Sequence, residues 1–305
     1  MISVKNLQKQ FGKHQVLKGI DFTINPGEIY GFLGQNGAGK TTTMNILTGL
    51  TAYREGDIII DGLPLQGNIE KLQKVIGYLP EDPQFYPYMK GIEYLEYIGK
   101  ISGYTREAID KRNQELLQLV NLTEASTRRI GGYSRGMRQR LGLAVSVYNH
   151  PKILFLDEPS SALDPQGRRE LLDIILGLKD ENTTIFLSTH ILSDVEKICD
   201  RIAILHEGTI HLEENLETLQ EQYLQPIYEI QWEGDCRALK EPLLQHSWVD
   251  KININKNQMT LYVHDRKKSQ GKLLEVLSGF PLPIISLSLK RSSLEDIFVK
   301  VVNGR

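Results

Sequence analysis

The amino-terminal quarter of the chain alternates short apolar runs with polar turns, a pattern typical of β-strands. Strands are predicted over residues 2–4, 16–24, 28–33, 56–60 and 76–79, with a turn near residue 12. The run 28–33 is rich in apolar residues and indicates a buried strand. A helix is predicted over 41–48, where Gly49 is placed to stop it. Antiparallel strands are therefore expected beside a buried central strand.

Between about residues 83 and 150 the apolar period changes to that of helices. Apolar residues recur every three positions from Ile92 to Ile101, and a second helical pattern runs from Ile109 to Val120. Downstream, strands are predicted over 152–156, 184–188 and 201–205, with a helix over 168–179. This alternation predicts a mostly parallel sheet flanked by helices. The expected fold class of residues 1–223 is therefore α/β, a mixed sheet with a helical insert at about 83–150.

A second, smaller domain is expected over residues 224–305, where the pattern restarts. Its predicted elements are a strand over 228–232, a helix over 237–245 that Pro242 weakens, a hairpin over 249–263, a helix around 273–277 and a strand over 285–289. This order is the β-α-β-β-α-β plan of ferredoxin-like α+β domains. A capping box at 292–295 predicts a last helix with Ile297, Phe298 and Val301. Trp232 and Trp248 are expected to pack in the core.

Composition narrows the class of protein. The 305 residues carry a formal net charge of -2, and no basic block indicates nucleic-acid binding. Two cysteines, Cys199 and Cys236, are too few for a disulfide framework, which favours a reducing cytosol. The sequence contains neither a signal-peptide pattern nor an apolar run of membrane-helix length. A soluble chain is expected, and any membrane role has to come through a partner.

Residues 34–41 fit the pattern Gly-x4-Gly-Lys-[Ser/Thr] of phosphate-binding loops, between a predicted strand and a predicted helix. The glycines allow backbone N–H groups to close around phosphate oxygens, and the helix N-terminus adds its positive end. Lys40 can reach the β- and γ-phosphates, while the Thr41 hydroxyl can hold magnesium. The residues predicted to contact the nucleotide here are Gly34, Asn36, Gly37, Ala38, Gly39, Lys40, Thr41 and Thr42.

Two carboxylates follow the apolar strand 152–156. Asp157 stands at the end of the strand, where phosphate-loop enzymes hold magnesium. Glu158 comes next and is well placed as a general base for an attacking water. Such a pair is usually a solvated strand end, but the phosphate loop upstream and the segment 159–164 downstream favour the catalytic interpretation.

Further motifs make the chain resemble the ATP-binding cassette (ABC) ATPases. Residues 133–141, Tyr-Ser-Arg-Gly-Met-Arg-Gln-Arg-Leu, are similar to the signature loop and helix of that family. Residues 161–164 resemble its D-loop and His190 its switch histidine, while Phe11 occupies the place of the aromatic residue that stacks on adenine. These motifs stand in family order over roughly residues 1–221. The chain resembles in particular the nucleotide-binding subunits of bacterial drug- and bacitracin-resistance exporters, whose C-terminal extension often ends in a segment like 293–298.

The resemblance implies a mechanism within each subunit. Lys40 and the loop amides of residues 37–39 hold the phosphates, while Thr41 and Asp157 manage Mg²⁺. Glu158 polarises the water, and His190 holds the γ-phosphate and Glu158 in register. Catalysis is then mainly positioning and electrostatic stabilisation.

The resemblance also implies that two cassettes pair head-to-tail with two ATP molecules between them. Ser134 and Gly136 of the opposite subunit would close on the γ-phosphate, aided by the N-terminus of the following helix. Asp164 would link the two sites. The chain carries one cassette, so the second comes from another copy or a paralogue.

Two departures from the family pattern concern the signature and the Q-loop. Where the family has Leu-Ser-Gly-Gly-Gln, this chain has Tyr-Ser-Arg-Gly-Met, and Arg135 adds a charge without an assigned role. Glu81 replaces the Q-loop glutamine and is placed to face magnesium or its water, although an ionised glutamate only accepts hydrogen bonds. Gln84 is the alternative Q-loop residue.

Several candidate residues have simpler explanations. The phosphate loop alone could be a glycine-rich turn with a surface lysine, and His190 a hydrogen-bonded structural histidine. Phe11 could be a core residue. Ser134 could be only a helix cap, which is compatible with phosphate binding. The arginines at 135, 138 and 140 could form a solvated helix face.

The sequence as a whole predicts an ATP-hydrolysing subunit that powers a membrane ABC transporter, with an exporter favoured. ATP and Mg²⁺ are the expected ligands, and an integral-membrane permease and a second ATP-binding subunit are the expected partners, at the cytoplasmic face of the membrane. The alternative is an ABC ATPase in DNA repair or translation, which the lack of a second cassette and of a basic stripe disfavours. For the C-terminal domain, dimerisation or stabilisation is favoured over ligand-dependent regulation.

Overall fold

The computed structural model describes residues 1–161, 163–180, 182–223, 227–264, 266–290, 294–295 and 297–298. The chain separates into two units, Met1–Leu216 and Glu217–Arg305. The division lies at the start of the helix Leu216–Tyr223, whereas the sequence places the domain boundary at the end of that helix. Each unit is described by itself below.

Two β-sheets and seven helices make up the described part of the first unit. The strands are β1 (Ile2–Phe11), β2 (His14–Ile24), β3 (Ile29–Leu33), β4 (Glu55–Ile60), β5 (Leu63–Pro64), β6 (Ile76–Leu79), β7 (Ile153–Asp157), β8 (Thr184–Thr189), β9 (Arg201–His206) and β10 (Thr209–Asn215). The helices are α1 (Lys40–Leu47), α2 (Ile69–Leu72), α3 (Gly91–Ile101), α4 (Arg106–Leu119), α5 (Arg135–Ser146), α6 (Pro165–Asp180) and α7 (Leu192–Ile198), with a short 3-10 turn at Ile130–Gly132.

The larger sheet has the strand order β10-β9-β3-β8-β7-β6. Strands β9, β3, β8, β7 and β6 are parallel neighbours, and β10 is antiparallel to β9. The smaller sheet, β2-β1-β4-β5, is antiparallel throughout. The parallel arrangement brings the carboxyl ends of β3, β8 and β7 to one edge of the sheet, where the loops that follow them meet.

The core between the two sheets is aromatic and aliphatic. Every residue of β3, β7 and β8 is buried, as expected for parallel strands covered on both faces. Phe186 on β8 lies with its ring centroid 5.2 to 5.8 Å from those of Phe22, Tyr30, Phe32 and Phe155. Because Phe22 comes from β2, this cluster holds the antiparallel sheet against the parallel one.

The helical insert comprises α3, α4, the 3-10 turn and α5, between β6 and β7. The apolar pattern placed Ile109 and Leu116 of α4 correctly, since both are buried. In α3, Leu95 is buried but Ile101 is 64% exposed, because it is the last residue of the helix. Strand β1 is longer than the predicted 2–4 and extends to Phe11, with register irregularities, and the predicted turn near residue 12 joins it to β2. Helix α7 and strand β10 were not predicted.

The second unit contains an antiparallel sheet with helical segments. Its described elements are α8 (Leu216–Tyr223), β11 (Ile227–Trp232), a 3-10 turn (Arg237–Leu239), α9 (Lys240–Leu244), β12 (Val249–Asn255), β13 (Gln258–Val263), α10 (Arg266–Ser278) and β14 (Ile284–Lys290). The strand order β12-β13-β11-β14, antiparallel at every pair, is that of a split βαβ, ferredoxin-like domain.

The core of the second unit includes both tryptophans, Trp232 and Trp248, which are buried as expected. Pro242 lies within the first turn of α9, where a missing N–H costs little, so the short helix forms despite it. The capping box at 292–293 and Val301 of the predicted last helix lie outside the described residues.

Replacing the central aromatic ring should destabilise the first unit strongly. We expect Phe186→Ala to lower the free energy of unfolding by about 3–5 kcal/mol, because it empties the space shared by four rings. Urea denaturation followed by far-UV circular dichroism measures the loss. Tyr88→Ala is the control, because that side chain is 68% exposed, and it should cost under about 0.5 kcal/mol. A loss below about 1 kcal/mol for Phe186→Ala would contradict the role given to the cluster.

Candidate active site

The phosphate loop connects β3 to α1 at the edge of the parallel sheet, and its glycines are required by geometry. Gly37 and Gly39 have φ angles of 83° and 115°, in the left-handed region that favours glycine. A Cβ atom on Gly34 would lie 2.5 Å from the carbonyl oxygen of Leu205. Within the loop, Gly34 and Ala38 are buried, and the Ala38 N–H donates to the Gln35 carbonyl.

Lys40 is the first residue of α1 and its side chain is buried. Its Nζ donates to the Gly34 carbonyl at 2.7 Å and to the Gln35 carbonyl at 3.4 Å. The same atom lies 3.3 Å from Oε1 of Glu158. The loop thus holds an ammonium group between its own carbonyls and the carboxylate that follows β7.

Glu158 and His190 form a second contact at the same edge. Glu158 is 5% exposed and has a φ of 47°, a backbone conformation that few non-glycine residues adopt. Its N–H donates to the Ser188 carbonyl at 3.0 Å, which fixes the loop to β8. Its Oε2 lies 2.9 Å from Nδ1 of His190. The carboxylate of Glu158 therefore lies between Lys40 and His190 and contacts both.

Asp157 ends β7 with a buried carboxylate. Oδ1 accepts a hydrogen bond from the Ser188 hydroxyl, and Thr41 also donates to this carboxyl. Oδ2 has no hydrogen-bond partner among the described residues. Burial raises the pKa of Asp157, opposed by those two hydrogen bonds. A carboxylate oxygen and a threonine hydroxyl are hard oxygen ligands of the kind that Mg²⁺ takes, so these residues fit that ion.

Lys40, Thr41, Glu158 and His190 line an open cleft of about 480 Å³, and Asp157 is not among its lining residues. The residues that line it are Phe11, His14, Val16, Gln35, Asn36, Gly37, Gly39, Lys40, Thr41, Thr42, Glu81, Glu158 and His190. The cleft is therefore bordered by the phosphate loop, by the residues that follow β7 and β8, and by the residues on either side of the turn between β1 and β2. Its volume lies within the range typical of small-molecule sites.

The sequence left open whether Phe11 lies in the core and which of Glu81 and Gln84 faces the site, and the structure shows where each of these residues lies. Phe11 is not a core residue: it is 52% exposed at the rim of the cleft, with Lys9 Nζ 4.6 Å from its ring centroid. Glu81 lines the cleft and Gln84 does not, since the Gln84 amide donates to the Asp82 carboxylate at 2.7 Å.

Sequence reasoning missed the remaining rim residues of the cleft. His14 pairs directly with Phe11 across the turn between β1 and β2, and Val16 follows on the same strand. Both residues are close to Phe11 in the sequence, and this closeness could have indicated that they line the same cleft. Gln35 of the phosphate loop also lines the cleft and was not among the predicted contacts.

Five predicted nucleotide contacts are not among the residues that line the cleft: Gly34, Ala38, Ser134, Gly136 and Asp164. The Ser134 hydroxyl accepts from the Met137 N–H at 3.1 Å, so it caps α5. Oδ1 of Asp164 accepts from the Gly167 N–H at 2.8 Å, at the start of α6. Ser134 and Asp164 are exposed.

Comparison with known proteins assigns the family. A family model described as ABC transporter matches residues 17–161. The chain is 36% identical over 311 residues to the uncharacterized ABC transporter ATP-binding protein YxlF of Bacillus subtilis, with 100% of both chains covered. The chain belongs to the ATP-binding proteins of ABC transporters. It is therefore an ABC ATPase, and the predicted resemblance is confirmed.

Other comparisons extend this assignment to the second unit and to the fold. A family model for the C-terminal domain of DrrA1-3-like ATP-binding proteins matches residues 215–302. The bacitracin transport ATP-binding protein BcrA of Bacillus licheniformis is 34% identical to this ABC ATPase, with 100% of this chain and 98% of that protein covered. The dimeric cassette MJ0796, solved in a post-hydrolysis state bound to ADP and Pi, matches 71% of this chain and 99% of its own, with 26% identity and a TM-score of 0.66. The predicted fold class is confirmed.

The buried carboxylate of Asp157 should oppose folding of the ligand-free ABC ATPase. Its pKa in the folded state is raised above the unfolded value, so the ionised form costs stability at any pH above the folded pKa. We expect Asp157→Asn to raise the melting temperature at pH 7 in the absence of nucleotide and divalent cation. This gain should shrink as the pH is lowered through the folded pKa, and it should vanish below the unfolded pKa.

Differential scanning fluorimetry in EDTA over a pH series measures this effect. Asp173→Asn on the exposed surface of α6 is the control and should leave the melting temperature unchanged. A lower melting temperature for Asp157→Asn, or a change that does not depend on pH, would rule out this electrostatic explanation.

Proposed function

We propose that this chain is the motor subunit of an ABC exporter, in which two cassettes close head-to-tail around two ATP molecules. The observation that carries the proposal is the array of Lys40, Asp157, Glu158 and His190 at one edge of the parallel sheet. A phosphate-binding ammonium, a carboxylate for a cation and a held base are the groups that phosphoryl transfer to water requires.

Within one subunit, each residue of the array has a separate task. The loop amides and Lys40 bind the β- and γ-phosphates, which draws Lys40 away from Glu158. Glu158 then accepts a proton from the attacking water, and His190 keeps the carboxylate oriented through the Nδ1 contact at 2.9 Å. The exposed ring of Phe11 provides a surface on which adenine stacks.

Thr41 and Asp157 would hold Mg²⁺, with Glu81 at the rim close to its waters. The unpartnered Oδ2 of Asp157 supports this assignment, since a buried carboxylate oxygen without a donor is otherwise costly. When bound, the ion neutralises charge on the β- and γ-phosphates. Ionised Asp157 is favoured by that charge, which reverses the effect of its burial.

The second half of the site would come from the opposite subunit. Ser134, Gly136 and Asp164 do not line this chain's own cleft, although the family places them on the γ-phosphate and between the sites. Ser134 is exposed at the N-terminus of α5, whose first turn contains no acidic residue. A helix end of this kind favours an anionic partner. Hydrolysis would then depend on closure of the dimer.

The membrane partner we propose is an integral-membrane permease, and the motor would lie at the cytoplasmic face of the membrane. In the described residues, no helix has the length and apolar character needed to cross a bilayer. At the start of the helical insert, however, Tyr86, Tyr88 and Tyr97 form an aromatic patch and are 48%, 68% and 41% exposed. Exposed tyrosine clusters mark protein interfaces, which supports docking of a partner here.

Export is the direction we propose, because one similar protein is a bacitracin transport protein and the C-terminal unit matches a DrrA-like domain. The same relatives disfavour the alternative of a DNA-repair or translation ATPase. For residues 224–305 we retain dimerisation or stabilisation as the favoured role.

The proposed base has a direct test. Glu158→Gln should lower kcat for ATP hydrolysis by about a hundredfold or more, because the amide cannot take the proton of the water. ATP binding should survive, measured with a fluorescent ATP analogue. Glu213→Gln is the matched control, since Glu213 pairs with Arg201 away from the cleft, and it should keep turnover. Undiminished turnover in Glu158→Gln would remove the residue from this role.

The partner and its docking site can be tested together. We expect tagged Glu158→Gln chain, purified in detergent with Mg-ATP, to bring down a polytopic membrane protein. Adding Tyr86→Ser and Tyr88→Ser should reduce that recovery several-fold while leaving ATP binding intact. Leu274→Ser is the control, as an equally exposed apolar residue of the second unit. Recovery of ribosomal or DNA-repair components instead would favour the alternative function.

A further inference from the structure

An ionic cluster around the buried carboxylate of Asp194 lies in the described part of the chain, next to the loops of Glu158 and His190. Asp194 is on α7, four positions after His190, and is 1% exposed. Its Oδ2 accepts from the Ser160 hydroxyl at 2.5 Å, and its Oδ1 accepts from Nε of Arg168 at 2.5 Å. Arg168 also donates through Nη2 to the Ser193 hydroxyl at 2.7 Å. Neither carboxylate oxygen of Asp194 is left without a donor.

Each partner of Asp194 belongs to a segment that carries a residue of the proposed mechanism. Ser160 stands two positions after Glu158, and the loop between them is tight, since the Ser161 N–H donates to the Glu158 carbonyl at 3.2 Å. Arg168 lies one helical turn after Asp164, whose carbonyl accepts its N–H at 2.9 Å. The cluster therefore ties together the loops of Glu158, His190 and Asp164.

We propose that Asp194 is a positioning residue that holds Glu158 and His190 at their working distance and connects them to the segment of Asp164. This inference rests on the proposed function of those residues. The loops after β7 and β8 are already connected by the Glu158 N–H bond to the Ser188 carbonyl and by the contact of Glu158 with His190. The bond from Ser160 to Asp194 adds a connection further along both loops, which restricts their movement relative to each other.

The choice of residues argues for positioning rather than for packing alone. The carboxylate of Asp194 loses its water, while Arg168 stays 28% exposed, so this pair stabilises little compared with apolar side chains of similar volume. It does specify one geometry, since a buried carboxylate without its donors is strongly disfavoured. A site that requires the Glu158 carboxylate to face one water gains from such a constraint.

The contact with Arg168 links the cluster to the segment that carries Asp164. Arg168 lies on α6, and Asp164 caps the first turn of that helix. A partner subunit that contacts Asp164 would move the start of α6, and Arg168 would carry this movement to Asp194 and so to His190. The cluster therefore offers a path by which closure of the dimer aligns the base.

The test separates turnover from nucleotide binding in the full-length chain. Asp194→Asn keeps the shape and loses the charge, and we expect kcat for ATP hydrolysis to fall about tenfold. KM for ATP and the affinity for a fluorescent ATP analogue should stay within about twofold, because the phosphate loop is not touched. Lys179→Met is the matched control: it removes the ion pair with Asp200 at the other end of α6 and should keep kcat.

Variants of Ser160 provide a second test, which does not depend on whether the Asp194 variant folds. Ser160→Ala should reproduce the loss of kcat, and Ser160→Thr, which restores a hydroxyl, should recover most of it. The double variant Ser160→Ala with Asp194→Asn should be no slower than Asp194→Asn alone, because both remove one contact.

The outcomes distinguish this inference from the function on which it rests. Normal kcat in Asp194→Asn, or a loss of ATP affinity that accounts for the slower rate, would overturn the positioning role. If Glu158→Gln is still inactive in that case, the proposed mechanism stands without this cluster. If Glu158→Gln itself turns over normally, the proposed function fails first.

Discussion

The pairing of three parallel strands, β3, β8 and β7, is the constraint on which the site depends. Leu33 at the end of β3 pairs with Thr189 of β8, and Asp157 at the end of β7 pairs with Ser188 of β8. The three strands therefore end at one level. The loops that leave them therefore lie side by side, which brings the glycine-rich turn, Glu158 and His190 into one cleft, next to the buried carboxylate of Asp157. A shift of one residue in either pairing would turn alternate side chains to the opposite face.

The burial of these strands makes that register specific. Their side chains fill a core in which the aromatic cluster around Phe186 also holds the antiparallel sheet. A close-packed core transmits small displacements rather than absorbing them. The position of Phe11 at the rim of the cleft thus depends on the packing of β1 and β2 against the strands that carry the phosphate loop.

The charged side chains of Lys40, Asp157 and Glu158 lie close together at the edge of the sheet, where the proposed nucleotide would bind. Asp157 and Glu158 are buried side by side, with Lys40 as the cation in contact with Glu158. Lys40 contacts loop carbonyls and Glu158, and burial raises the pKa of Asp157. In the function that we propose, a magnesium nucleotide would supply both a cation for the carboxylates and an anion for Lys40. Nucleotide binding would then release the Glu158 carboxylate from Lys40.

Much of the fold and half of the site follow from local sequence. The phosphate loop, the helix after it and the carboxylates after an apolar strand are contiguous signals, and hydrophobic period alone separates the α/β unit from the ferredoxin-like one. Such features are decided by glycine conformation, by strand burial and by helix geometry, which act over a few residues.

Other features depended on contacts between segments far apart in the chain. Whether Phe11 is core or rim, and whether Glu81 or Gln84 faces the cleft, was decided by how the sheets and loops pack. Strand order and the cluster of Ser160, Arg168 and Asp194 have no local signature. The order of amino acids specifies which chemical groups this protein has and on which elements they lie. Which of these groups meet follows from the fold, because burial and hydrogen bonding between distant residues are properties of the packed chain.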